Sequence, residues 1–333
     1  MSSVTVLGGG VSGLTSAIRL AERGNDVTVV ARAYTTGTTS WVATAIWHLF
    51  WVKIDDRVKR WATVSLEELL RLAEDETTGV TVIRGIECIR ANTPEADEFE
   101  SGTTETLWKA VVPAYTPISR SELISRLPGE YPTDTLIGGY EIDVPIADMS
   151  VYLPYLMNRL NQMGVTLSTA DLTSLDQLKS EHPADVYVNC TGLGARKLTG
   201  DTQLSGVKGQ IIRVNGATVH NYIADDHSPA GMTYVLPRKS DIILGGTEDE
   251  GVENSDVDDE VANAILERCR AIEPRLQDAT VLEHLAGSRP YRRSVRLEAE
   301  GDVIHNYGHG GSGVSLSWGC ADDVVNLVAE GLT

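Results

Sequence analysis

The sequence predicts an α/β protein in which a domain built on a parallel βαβ unit is interwoven with a second domain built on a mixed or antiparallel sheet. Three observations predict it. The first thirty residues run strand, glycine turn, helix, strand. Residues 207–214 and 233–244 alternate as antiparallel strands do. No repeat or low-complexity linker separates the two patterns, so the chain must cross between its domains several times.

In order, Val4-Thr5-Val6-Leu7 is a β-branched run that ends at glycines. Leu14, Ala17, Ile18 and Ala21 then recur at helical spacing up to Gly24, and Val27-Thr28-Val29-Val30 reads as a second buried strand. Ser65 caps an amphipathic helix over 65–74. The acidic stretch 91–106 reads as a surface loop or hairpin, and 116–119 as a turn entering a short helix. A helix over 149–163 stops at Gly164, and 165–167 and 186–189 read as buried strands. The antiparallel pattern of 233–244 turns at 237–241. Helices over 257–270 and 320–332 complete the chain.

Acidic residues outnumber basic ones, 47 to 28, for a formal charge of −19. Such a surface repels phosphate backbones and anionic lipid, which argues against nucleic-acid and membrane partners. Cys88, Cys190, Cys269 and Cys320 form no CxxC and no metal spacing, and they suit buried thiols in a reducing compartment, with no metal. The N-terminus lacks a basic signal region, no apolar run approaches the roughly 20 residues of a membrane span, and Glu-Gly-Leu-Thr is not a peroxisomal address. These features predict a soluble, cytoplasmic protein.

Gly8-Gly9-Gly10-Val11-Ser12-Gly13 is a GxGxxG run placed after a strand and opening a helix. Gly8 permits the turn, Gly10 lets backbone approach a pyrophosphate, and Gly13 allows close helix packing. The carboxylate that would bind an adenosine ribose at the end of the second strand is missing, since that place reads Ala31-Arg32-Ala33. An arginine there suits a 2′-phosphate, so the loop alone leaves FAD and NAD(P) open.

The stretch His305-Asn306-Tyr307-Gly308-His309-Gly310-Gly311-Ser312-Gly313 forms a second glycine-rich loop before an apolar helix. It resembles the C-terminal signature of the D-amino acid oxidase family, flavoenzymes that carry FAD. Four other segments resemble that family in the same order: the N-terminal glycine loop; Thr38-Thr39-Ser40 with Trp47; 188–192; and Gly287-Ser288-Arg289-Pro290 with 296–298. The resemblance spans nearly the whole chain.

It implies a Rossmann-like FAD-binding domain of 1–47, 148–197 and 284–333, interwoven with a substrate domain of 48–147 and 198–283. Thr38, Thr39 and Ser40 inherit pyrophosphate contacts, Leu172 the adenine contact, and Ala43, Thr44 and Ala45 the flank of the isoalloxazine ring. Gly310, Gly311, Gly313, Val314 and Ser315 match the backbone around the flavin pyrimidine edge. The Gly8, Gly10, Val11, Ser12 and Gly13 loop, Ala31 and Arg32, and Cys190, Thr191 and Gly192 complete the cofactor set. Arg289 matches the carboxylate-binding arginine and Tyr234 a tyrosine that also meets the carboxylate, while the Gly311 carbonyl accepts from the amine. Arg292 and Arg293 read as solvated.

The activity implied is oxidation of a D-amino acid by hydride transfer to flavin N5, giving a 2-oxo acid, ammonia and, from dioxygen, hydrogen peroxide. The alternative is an FAD-dependent oxidase of another amine: glycine, sarcosine or a biosynthetic imino acid. The lid tyrosine of animal members has no counterpart near Ala230, which predicts a more open pocket. No basic group near Tyr222-Ile223-Ala224 suits an acidic side chain, so neutral or apolar D-amino acids are expected over D-aspartate. Members of the family are commonly homodimers, although no stretch here marks an interface.

Overall fold

The computed structural model describes residues 2–103 and 111–331. Five strands, β1 (Ser3–Leu7), β2 (Asp26–Ala31), β6 (Thr166–Thr169), β7 (Val186–Asn189) and β14 (Val303–His309), lie parallel in the order β14-β7-β1-β2-β6. The second set holds β3 (Val80–Arg90), β4 (Ala114–Ser119), β5 (Leu136–Ala147), β8 (Ser205–Asn215), β9 (Tyr222–Asp225), β10 (Thr233–Pro237) and β11 (Ile242–Gly245), with short β12 (Asp249–Glu250) on β8. These pair antiparallel except for β3 and β9, so the sheet is mixed.

One strand joins the two halves. β13 (Thr280–Glu300) pairs with β8 from Thr280 to Tyr291 and with β14 at Tyr291 and again, after a register shift, from Arg296 to Glu300. A residue near the middle of β13 therefore stands where the two half-sheets meet, and Arg289 is that residue.

Helices cover the parallel half. Val11–Glu22 packs against Gly313–Glu330, which crosses Asp56–Leu72. The crossing is close because Gly319 has no side chain; a Cβ there would collide with Trp61 backbone. The Ser65 hydroxyl accepts from the amides of Trp318 and Gly319, both at 3.1 Å. Ser65 is thus an interior contact and not the expected cap: the helix begins nine residues earlier, with the Asp55 carboxylate accepting from the Val58 amide.

Three other segments differ from expectation. Residues 94–100 of the acidic stretch are helical, started by the Thr93 hydroxyl and Pro94 at the first position, while 104–106 lie outside the described residues. The 116–119 segment belongs to β4, and its Ser119 caps the helix Arg120–Arg126. The last helix starts at Gly313, seven residues before the expected 320, and its stretch from Val314 to Ala321 is buried throughout, with no exposed polar face to mark it as a helix in the sequence. The helices at 149–162 and 259–272, the strands and the turn at 237–241 fall within a few residues of the reading. All four cysteines are buried and free. Among the described residues no helix is long and apolar enough to cross a membrane.

Candidate active site

β1 enters the Val11–Glu22 helix through the glycine run. Gly8 holds φ at 131°, and a side chain there would collide with the Cys190 carbonyl; Gly13 lets the helix close onto the Gly8 carbonyl. Gly10 at the N-cap offers no side-chain acceptor, and the first turn holds no acidic residue. The positive helix end is therefore open to an anion. The Ser40 hydroxyl joins this turn by accepting from the Val11 amide at 3.0 Å.

A cleft of about 860 Å³ runs from this turn into the second half-sheet. Its volume lies in the upper part of the range of ligand pockets, roughly 300–1,000 Å³. Every residue expected at the site lines it except Gly13 and Ser315. Gly13 lies behind the turn, as its packing requires. The Ser315 hydroxyl is turned away: it donates to the His48 carbonyl at 2.7 Å and accepts from the His48 amide at 3.0 Å. Val42, Thr36 and Asp171 also line the cleft and were not anticipated. Asp171 follows β6, which pairs with the end of β2 at Ala31 and Thr169, so a carboxylate from the segment after the neighbouring strand lines the same end of the cleft as Arg32. Sequence order alone hides that pairing.

At the other end stands Arg289, partly buried on β13. Its Nη1 donates to the Thr247 carbonyl at 3.0 Å, and the guanidinium lies 5.3 Å from the centre of the Phe50 ring. Gly209 on the adjacent strand makes room, since any side chain would strike the guanidinium. Among the described residues no carboxylate pairs with Arg289, and its remaining donors face the cleft. Tyr234 is 8% exposed, its ring lying over the backbone of Gly245 and Gly246. Burial raises its hydroxyl pKa, opposed by the Arg289 charge, so the phenol stays a proton donor. Gly311 is held by its amide, which donates to the Phe50 carbonyl at 3.0 Å.

Beyond Tyr234 the cleft continues into a chamber of about 80 Å³. Arg289, Tyr234 and Gly311 bound it on one side, with His48, Glu87, Ala224 and Asp226 on the other. Burial pushes the Glu87 carboxyl well above its usual range, with repulsion from Asp226 adding to it. Burial also raises Asp226 and lowers His48. The sequence reading missed this group, which three distant segments bring together. The segment near Ala230 is a tight turn, closed by Ser228 N to Asp225 O and Gly231 N to Ser228 O.

The two histidines of the signature serve the interior. His309 Nε2 lies 3.0 Å from Asn306 Oδ1, and Asn306 Nδ2 donates to the Ser16 hydroxyl at 3.2 Å. Burial drops the His309 pKa to about 4, so its ring is neutral. His305 lies 3.3 Å from Glu300. Arg292, expected to be solvated, is paired with Asp201 at 2.9 Å and donates to the Ser294 carbonyl.

A glycine-lined helix start, a long cleft and an unpaired guanidinium fit a dinucleotide whose far end meets a small acid. Comparison with known proteins agrees. The chain is 41% identical over its whole length to a D-amino-acid oxidase of Rubrobacter xylanophilus, of which it covers 98%. It is 33% identical over 98% of its length to the D-aspartate oxidase of Homo sapiens, covering 94% of that protein. Its fold is similar to glycine oxidase from Geobacillus kaustophilus, with a TM-score of 0.80, 18% identity, and 100% and 98% of the two chains covered. The family model of FAD-dependent oxidoreductases matches residues 3–327, and the chain belongs to that family.

Proposed function

We propose that this chain oxidises D-amino acids, converting substrate, dioxygen and water to a 2-oxo acid, ammonia and hydrogen peroxide. The observation that carries this reading is the Arg289 guanidinium, without a carboxylate partner among the described residues, beside the protonated Tyr234 hydroxyl. Arg289 takes the substrate carboxylate in two parallel charge-assisted hydrogen bonds, and Tyr234 adds a third donor. The Gly311 carbonyl accepts from the amine. Three points of attachment fix the orientation of the α-carbon, and orientation alone is worth orders of magnitude in rate. FAD, when bound, supplies the two-electron acceptor. Gly8 to Ser12, Thr38 to Ser40 and the Gly310 to Val314 backbone hold it, with Leu172 toward the adenine.

The division into 1–47, 148–197 and 284–333 against 48–147 and 198–283 is part of the same proposal. Its support is that β1, β2, β6, β7 and β14, the parallel set, all come from the first group.

The chamber beyond Tyr234 favours substrates with a side chain over glycine or sarcosine. The Glu87 and Asp226 carboxyls in its wall favour neutral side chains over acidic ones. The purified protein is expected to be yellow and to bleach anaerobically with D-alanine but not L-alanine. D-aspartate should turn over more slowly than D-alanine; the reverse order overturns the preference, and bleaching by sarcosine alone overturns the substrate class.

A further inference from the structure

The far wall of the chamber holds polar groups that the reaction does not use. Glu87, Ala224 and Tyr234 are register neighbours across β3, β9 and β10, so their side chains share one face of the sheet. With strands about 4.8 Å apart, Glu87 stands roughly 10 Å from Tyr234 along the sheet. Between them is only the methyl of Ala224, which leaves a trough across the sheet leading from the carboxylate-binding end to the Glu87 carboxyl.

Glu87 is 9% exposed and lines the chamber, yet no arginine or lysine among the described residues pairs with it. The Tyr222 ring lies over Gly85, beside Glu87, with its buried hydroxyl toward the Glu87 carboxyl. Asp226 adds a second carboxyl to the same wall. Two carboxyls in one wall, with no arginine or lysine paired to either among the described residues, are costly to ionise unless a cationic ligand completes them.

We propose that Glu87, with Asp226 beside it, is a specificity-determining residue that receives the side-chain ammonium or guanidinium of a basic D-amino acid. The inference rests on the D-amino acid reading above. The cation donates hydrogen bonds to the Glu87 carboxylate, and the proton that burial favours on that carboxyl leaves to solvent. Burial and Asp226 hold Glu87 toward its protonated form, and a cation seated against it opposes both effects by giving the carboxylate a counter-charge.

The test compares D-lysine with D-norleucine, which has the same chain without the ammonium, by anaerobic flavin reduction of the holoenzyme. Wild-type protein is expected to favour D-lysine by about 10- to 100-fold in kcat/KM, and Glu87→Gln to shrink that ratio at least about tenfold. Asp226→Asn should shrink it less. A wild-type ratio at or below one, or an unchanged ratio in a flavin-loaded Glu87→Gln, overturns the proposal. If Glu87→Gln fails to hold flavin, the wild-type ratio decides. Failure of the underlying reading looks different: neither compound, nor D-alanine, bleaches the flavin.

Discussion

At the scale of single residues, function concentrates where side chains are left unsatisfied. Arg289 has the Thr247 carbonyl and the Phe50 face as partners, which fix its fork and leave donors for a carboxylate. Arg289→Leu is expected to lower kcat/KM for D-alanine by about 100- to 1,000-fold, mostly through KM, while the flavin spectrum is retained. Tyr234→Phe removes one donor and should cost about tenfold, read in the same steady-state assay. Both residues were legible in the sequence because they sit in motifs of a recognisable family. Glu87 and Asp226 were not, since nothing in Ile-Glu-Cys or Ala-Asp-Asp tells which carboxyl faces a cavity. The β3-β9-β10 register does so for Glu87, and the segment after β9 brings Asp226 to the same cavity.

At the scale of elements, the βαβ start could be read because each of its glycines answers a steric demand near its own place in the chain. The Asp56–Leu72 helix shows where such reading stops. Ser65 looks like a cap because serine before a leucine run commonly is one, but here its hydroxyl serves the amides of a helix more than 250 residues away. Ser65→Ala leaves Trp318 and Gly319 amides without that acceptor and should destabilise the holoenzyme by about 1–3 kcal/mol in urea unfolding. A second long-range pair joins the ends of β3 and β9: Arg90 and Asp225, 2% and 0% exposed, bond at 2.7 Å, with the Tyr131 hydroxyl on the same carboxylate. Asp225→Asn should cost about 3–5 kcal/mol in the same measurement, because it leaves a buried guanidinium without its counter-charge.

At the scale of the whole molecule, β13 joins the parallel half-sheet to the mixed one, and Arg289 stands at the seam. The alternation of 207–214 and 233–244 made the second half foreseeable, whereas a strand serving both sheets depends on tertiary pairing that no local pattern encodes. The same seam ties stability to acidity through His309, whose folded pKa of about 4 lies below the ordinary 6.5. A depressed folded pKa gives stability that is full above pH 6.5 and fades as pH falls toward 4, by roughly 3 kcal/mol in all. His309→Asn should flatten the unfolding free energy across that window; an unaltered slope would assign the loss to other groups. The central claim is that one free guanidinium presents a D-amino acid to bound FAD. Anaerobic titration of the purified protein with D- and L-alanine, followed at the visible flavin band, tests it most directly. Complete bleaching by the D-enantiomer alone, lost at the same concentration in Arg289→Leu, is the predicted result; bleaching by L-alanine, or by D-alanine undiminished in the variant, would contradict it.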